Sequence, residues 1–225
     1  DVVFSVDSTY QRVEVVDSGA GRRSLYLDGL ENLNAGDLAL LNEYLAVVPA
    51  RLARPSSTLV IGNGTLSLVA PLGALSNELL TVEIDPVVIA AGERFFSPNA
   101  GRANLSWKLA LGDGKSFLAS TNQSFDLVVV DVPSPLTFQE AFLHTREFYA
   151  LVRSRLTPRG VVSVQLSGHR LGALERSPSR VTAALAAELP EVLVVESVVA
   201  DRAFAYASSN LPFHADDVRA FAPPS

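Results

Sequence analysis

The chain has 225 residues, 48% of them hydrophobic and 19% charged, and a net charge of -6, enough for one domain with a real core and a small appendage. The acidic balance excludes a nucleic-acid partner, which would need clustered Lys and Arg against phosphates. No cysteine is present for disulfide or thiolate chemistry, the three histidines lie far apart so no metal site is expected, and no run approaches a membrane span. With no signal peptide read at Asp1, the expected setting is cytoplasmic and free of membrane.

Residues 1–30 predict β-hairpin material. Tyr10 to Val16 alternates, Asp17 to Gly21 supplies a turn, and Ser24 to Asp28 returns. A small N-terminal β-hairpin domain is therefore expected over 1–36, and a larger, Rossmann-like domain over 37–225. An amphipathic helix over 37–53 is capped by Asp37. Strand and helix patterns then alternate: strand 58–61, helix 66–75, strand 79–84, helix 86–96, strand 105–110, helix 114–119 and strand 126–131. Helix 140–156, strand 160–166, helix 178–188, strand 191–199 and a last strand 203–208 follow. Pro71 falls inside the 66–75 helix, where an interior proline is costly. The alternation predicts an α/β fold: a doubly wound, seven-stranded, mainly parallel sheet closed by an antiparallel last pair.

Three strand ends carry the chemistry. Leu59 to Gly64, Thr81 to Pro86 and Leu127 to Pro133 are apolar β-branched runs stopped by glycine, an acid or proline. Such runs read as strands buried on both faces, and ligands of these sheets sit outside the carboxyl ends. Gly62-Asn63-Gly64 permits a tight turn and a close backbone approach, although a plain βα turn would look the same. Glu83 lies 21 residues after Gly62, near the spacing at which an acid accepts two ribose hydroxyls. Together they predict nucleoside binding. Asp113 either accepts from an adenine amino group or merely caps the helix that follows. Asp131 either orients and deprotonates an amine or caps a loop.

The ordered set Tyr10-Gln11-Arg12, Leu27-Asp28-Gly29, Val60 to Gly64, Val82 to Pro86, Gly112-Asp113-Gly114, Phe125 to Asp131 and Thr145 to Tyr149 resembles the spermidine/spermine synthase family across nearly the whole chain. The glycine and acid motifs are shared by all class I S-adenosylmethionine-binding proteins; the hairpin pieces and the Phe148-Tyr149 helix narrow the resemblance. It implies aminopropyl transfer from decarboxylated S-adenosylmethionine to a small-molecule amine, in a homodimer. Glu83 would then hold ribose, Asp113 adenine, and Asp131 would activate the amine. Tyr10 and Gln11 would line the shared pocket, with Tyr206 covering it. A methyltransferase using intact S-adenosylmethionine and a non-catalytic nucleoside-binding domain of a larger protein are the alternatives.

The chain departs from the family on the amine side. Thr65 stands where an acid is usual, Ser67 where a glycine is usual, and Ser134 where a second acid lines the amine site. Asn32 replaces a glutamine, and Leu41-Asn42 replaces a tyrosine-histidine pair. Each lost charge-assisted bond to a cationic amine is worth about 1.5–3 kcal/mol.

Overall fold

The computed structural model describes residues 1–19, 22–97, 106–132, 143–166, 176–197 and 202–221. The N-terminal segment is a four-stranded antiparallel meander: β1 (Val2–Asp7), β2 (Arg12–Asp17), β3 (Arg23–Leu27) and β4 (Leu30–Asn34). One face carries Val13, Val15, Leu25 and Leu33, which share a core with Leu41, Tyr44 and Leu45 of the following helix. The small sheet is therefore packed onto the rest of the chain through apolar contact.

The expected helix over 37–53 forms with an interruption. It runs as α1 (Leu38–Asn42), a wider π turn (Glu43–Val47) and α2 (Val48–Ala53). Pro49 accounts for the irregularity, because it has no N–H to give to the preceding turn. The Val48 N–H bonds Glu43 in π register, so the Tyr44 carbonyl would need the missing N–H of Pro49. That carbonyl accepts instead from the Tyr206 hydroxyl, and the Leu45 carbonyl accepts from Ser163.

A seven-stranded sheet follows. Its strands are β5 (Ser57–Gly62), β6 (Glu78–Glu83), β7 (Ser106–Leu111), β8 (Phe125–Asp131), β9 (Leu156–Leu166), β10 (Glu191–Ser197) and β11 (Arg202–Ser208), in the order β10-β11-β9-β8-β5-β6-β7. Pairing is parallel from β7 to β9, and β11 lies antiparallel to both β9 and β10. Leu59, Ile61, Val128 and Val130 point into one core and Val60, Leu127 and Val129 into the other. Apolar runs without alternation are what a sheet covered on both faces requires.

The helices are α3 (Val69–Gly73), α4 (Pro86–Ala91, prolonged by a π turn over Gly92–Phe96), α5 (Gly114–Ser120), α6 (Arg146–Arg155), α7 (Arg176–Ala186) and α8 (Ala215–Ala220). α3 is shorter than the expected 66–75. It begins at Val69, which puts Pro71 in the first turn, where the missing N–H would have no helical partner. α8 has no counterpart in the sequence-based expectation. It starts with a reciprocal capping box between His214 and Asp217.

Candidate active site

The sheet reverses its winding between β5 and β8, and this switch point opens the crevice in which a doubly wound fold takes its ligand. Gly62 and Asp131 face each other there, as partners at the ends of two adjacent parallel strands. The turn leaving β5 is possible only with glycine. Gly62 has φ +85°, and a Cβ on it would lie 2.2 Å from the Asp131 carbonyl oxygen. Gly64 is pressed as closely, since a Cβ there would stand 2.5 Å from Val88 Cγ1 and 3.1 Å from Glu83 Oε2.

Asn63 sits between the two glycines in a left-handed conformation, φ +62°, and is buried. Its Nδ2 donates to Asp131 Oδ2 at 2.8 Å and to the Ser67 hydroxyl at 3.1 Å, while its Oδ1 accepts from the Leu68 N–H at 3.0 Å. Every polar atom of the side chain is used, so Asn63 fixes both the turn and the carboxylate across from it. Nothing in the sequence reading singled it out. The signal available was an asparagine, tolerant of left-handed backbone, between two glycines.

Glu83 ends β6, one strand beyond the turn, and is 9% exposed. Its Oε1 accepts from the N–H groups of Ile84 at 2.8 Å and Asp85 at 3.0 Å. Burial nonetheless pushes its pKa up to about 7; the two N–H bonds oppose that rise, and the charges of Asp85 and Asp131 add to it. Oε2 is directed toward Gly64.

Asp85 caps α4 by accepting from the Val87 N–H at 2.9 Å, with Pro86 at the first helical position. Its other oxygen accepts from the Ser8 hydroxyl at 2.7 Å and from Gln11 Nε2 at 3.1 Å. Gln11 is thereby drawn beside the end of β6. Tyr10, in the same turn, is 49% exposed and bonds Ser8 through its backbone.

Asp113 caps α5 through Oδ1, which accepts from the Ser116 N–H at 2.7 Å. Only one oxygen is used in this way among the described residues, so capping and adenine recognition are compatible. It follows β7, which pairs with β6, and the Gly112 N–H bonds the Glu83 carbonyl at 2.9 Å. Glu83 and Asp113 are thus held on neighbouring strand ends.

Asp131 is held through both carboxylate oxygens. Burial raises its pKa, against the lowering effects of the Asn63 bond and the Arg202 charge. The Gln165 amide, oriented by its neighbours, donates to Asp131 Oδ1 at 3.2 Å and accepts from Arg202 Nη1 at 2.8 Å. Gln165 and Arg202 belong to β9 and β11, and neither was foreseen as part of the site. Gln165 could have been found by the rule that exposed the acids, being a polar residue at the carboxyl end of an apolar strand.

Two expectations fare differently. Tyr206 does not cover the crevice. It is fully buried in β11, packs edge-on against Phe213, and gives its hydroxyl to the Tyr44 carbonyl freed by Pro49. Ser134 lies outside the described residues. Among those described, no group of three His, Asp or Glu stands together as a metal site would require. The substituted positions Asn42 and Ser67 bond each other: Ser67 Oγ donates to Asn42 Oδ1, and Asn42 Nδ2 to the Ser67 carbonyl, both at 3.2 Å. Thr65 donates to the same Ser67 hydroxyl at 3.3 Å.

A family model for the spermine/spermidine synthase domain matches residues 39–175. The chain belongs to the spermine/spermidine synthase family. Among its relatives, the polyamine aminopropyltransferase of Thermoplasma volcanium is 31% identical over 170 residues, covering 73% of this chain and 62% of that protein. Spermidine synthase 2 of Hyoscyamus niger is 32% identical over 171 residues, covering 73% of this chain and 54% of that one. This family member therefore spans little more than half to three-fifths of the relatives it matches. In three dimensions it superimposes on a spermidine synthase crystallised with the transition state analogue AdoDATO, with a TM-score of 0.84 at 21% identity, covering 99% of this chain and 80% of that one. The spermidine synthase of Thermotoga maritima gives 0.82 at the same identity, with 99% and 79% covered. The fold is accordingly that of the spermidine synthases, hairpin sheet included. Among the described residues, no helix is long and apolar enough to cross a membrane.

Proposed function

We propose that this chain transfers an aminopropyl group from decarboxylated S-adenosylmethionine to an amine acceptor. The observation that carries the reading is the pairing of Gly62 with Asp131 at the switch point, with Glu83 on the next strand. Glu83 takes the ribose hydroxyls and Asp113 the adenine amino group. The sulfonium then lies over the Gly62 turn, beside Asp131. Gln11 and Tyr10 close the crevice from the hairpin side.

The chemistry follows from the charges. An ammonium cannot attack, so Asp131 accepts a proton from the acceptor nitrogen, or orients it as the proton leaves. The freed nitrogen pair forms a C–N bond to the aminopropyl carbon next to sulfur. The C–S bond breaks, its electron pair neutralises the sulfonium, and methylthioadenosine leaves. The raised pKa makes Asp131 a stronger base than a solvated aspartate, and Asn63 and Gln165 hold its two oxygens in place. We place the enzyme in the cytoplasm as a homodimer; sedimentation of the purified chain checks the dimer, and cell fractionation checks the compartment.

Calorimetry with decarboxylated and intact S-adenosylmethionine tests the donor. At least tenfold preference for the decarboxylated form is expected; equal or reversed affinity favours methyl transfer instead. Asp131→Asn should cut turnover by about 100-fold or more while leaving donor affinity within a factor of two or so. Retained turnover removes Asp131 as the base.

A further inference from the structure

The acceptor end of the crevice carries a cation. Along the sheet the strand ends run Glu83, Gly62, Asp131, Gln165 and Arg202, from the nucleoside side to the far side. Gln165 bridges Asp131 to Arg202 with one carboxamide, so the two charges lie within about 8 Å of each other. A guanidinium has five N–H donors, and Gln165 engages one of them. On the opposite flank, Asn42, Thr65 and Ser67 are neutral and bonded to one another. Among the described residues the acceptor end thus offers one carboxylate and one guanidinium, a net charge of zero.

We infer that Arg202 makes this site select an acceptor that carries a carboxylate as well as an amine, rather than a diamine. This rests on the aminopropyl-transfer reading for which end of the crevice holds the acceptor. The amine of an ω-amino acid reaches Asp131, and its carboxylate pairs with the outer face of the Arg202 guanidinium, the planar fork best suited to it. The second ammonium of a diamine would meet Arg202 as a like charge. Gln165 is the positioning residue: it holds the arginine at a fixed span from the base, and that span suits a chain of three to five carbons.

The test titrates protein saturated with methylthioadenosine against 4-aminobutyrate and 1,4-diaminobutane by calorimetry. The amino acid should bind at least tenfold more tightly. Arg202→Leu should weaken it roughly 10- to 100-fold, Arg202→Lys should weaken it less, and Arg202→Glu should reverse the preference toward the diamine. Retained methylthioadenosine affinity certifies that each variant is folded. Equal or tighter binding of the diamine by the natural chain overturns the proposal, as does binding of neither compound or an Arg202→Leu ratio matching the natural one. Decarboxylated S-adenosylmethionine added to the same samples separates the two readings. Selective amino-acid binding without methylthioadenosine release leaves the acceptor assignment standing and removes aminopropyl transfer. Release driven equally by the diamine keeps aminopropyl transfer and removes the role of Arg202.

Discussion

Glu83 sets a pH dependence that can be worked through in numbers. Its carboxyl goes from an ordinary value of 4.5 in the unfolded chain to about 7 in the folded one, because burial disfavours the charge. The folded state therefore binds the proton more tightly, and unfolding free energy falls as pH rises from 4.5 through 7. Full ionisation costs about 3 kcal/mol at 1.36 kcal/mol per unit of pKa. Glu83→Gln keeps an oxygen for the Ile84 and Asp85 N–H groups and abolishes the titration. Urea unfolding at pH 5 and pH 8 should show the natural chain losing about 2.5 kcal/mol more than the variant over that interval. Under the proposed function the same group governs nucleoside binding in the opposite sense, since ribose hydroxyls would bond the carboxylate. Methylthioadenosine should bind about tenfold more tightly at pH 8 than at pH 6, with proton release near pH 7. Identical pH profiles for the natural chain and Glu83→Gln, in both stability and affinity, would mean that Glu83 does not titrate in this range.

Two further outcomes separate the site from its scaffold. Gly62→Ala should destabilise by about 2–4 kcal/mol, from left-handed strain together with the 2.2 Å approach to the Asp131 carbonyl, as measured by chemical denaturation. Nucleoside affinity should fall with it, because Asp131 and the turn must part. Tyr206→Phe should cost about 1–3 kcal/mol of stability by orphaning the Tyr44 carbonyl, with methylthioadenosine affinity unchanged. A loss of affinity without a loss of stability would return Tyr206 to the pocket.

The sheet was legible because its central strands, β5 and β8, are buried on both faces and so read as uninterrupted apolar runs ended by polar residues. The placement of Glu83 and Asp113 on neighbouring strand ends was legible too, each standing alone where an apolar run stops. Asp113 caps α5 through one oxygen, the capping alternative that the sequence posed, and that bond does not preclude a ligand on the other oxygen. Tyr206 was misplaced because its environment depends on Pro49, over 150 residues away in sequence, which frees the carbonyl that the tyrosine satisfies. No local pattern carries that information. Asn63 and Gln165 carried local signals, a left-handed position between glycines and a strand end, but their joint hold on Asp131, and the place of Arg202 beside them, depend on register across separate strands.

The central claim is that this crevice moves an aminopropyl group to a nitrogen positioned by Asp131. The direct measurement is mass-spectrometric product analysis after incubation with decarboxylated S-adenosylmethionine and a panel of diamines and amino acids. The account predicts methylthioadenosine and an acceptor heavier by one aminopropyl unit, formed in equal amounts and lost in Asp131→Asn. Methylthioadenosine absent from every sample, while intact S-adenosylmethionine yields S-adenosylhomocysteine and a methylated product, would contradict it.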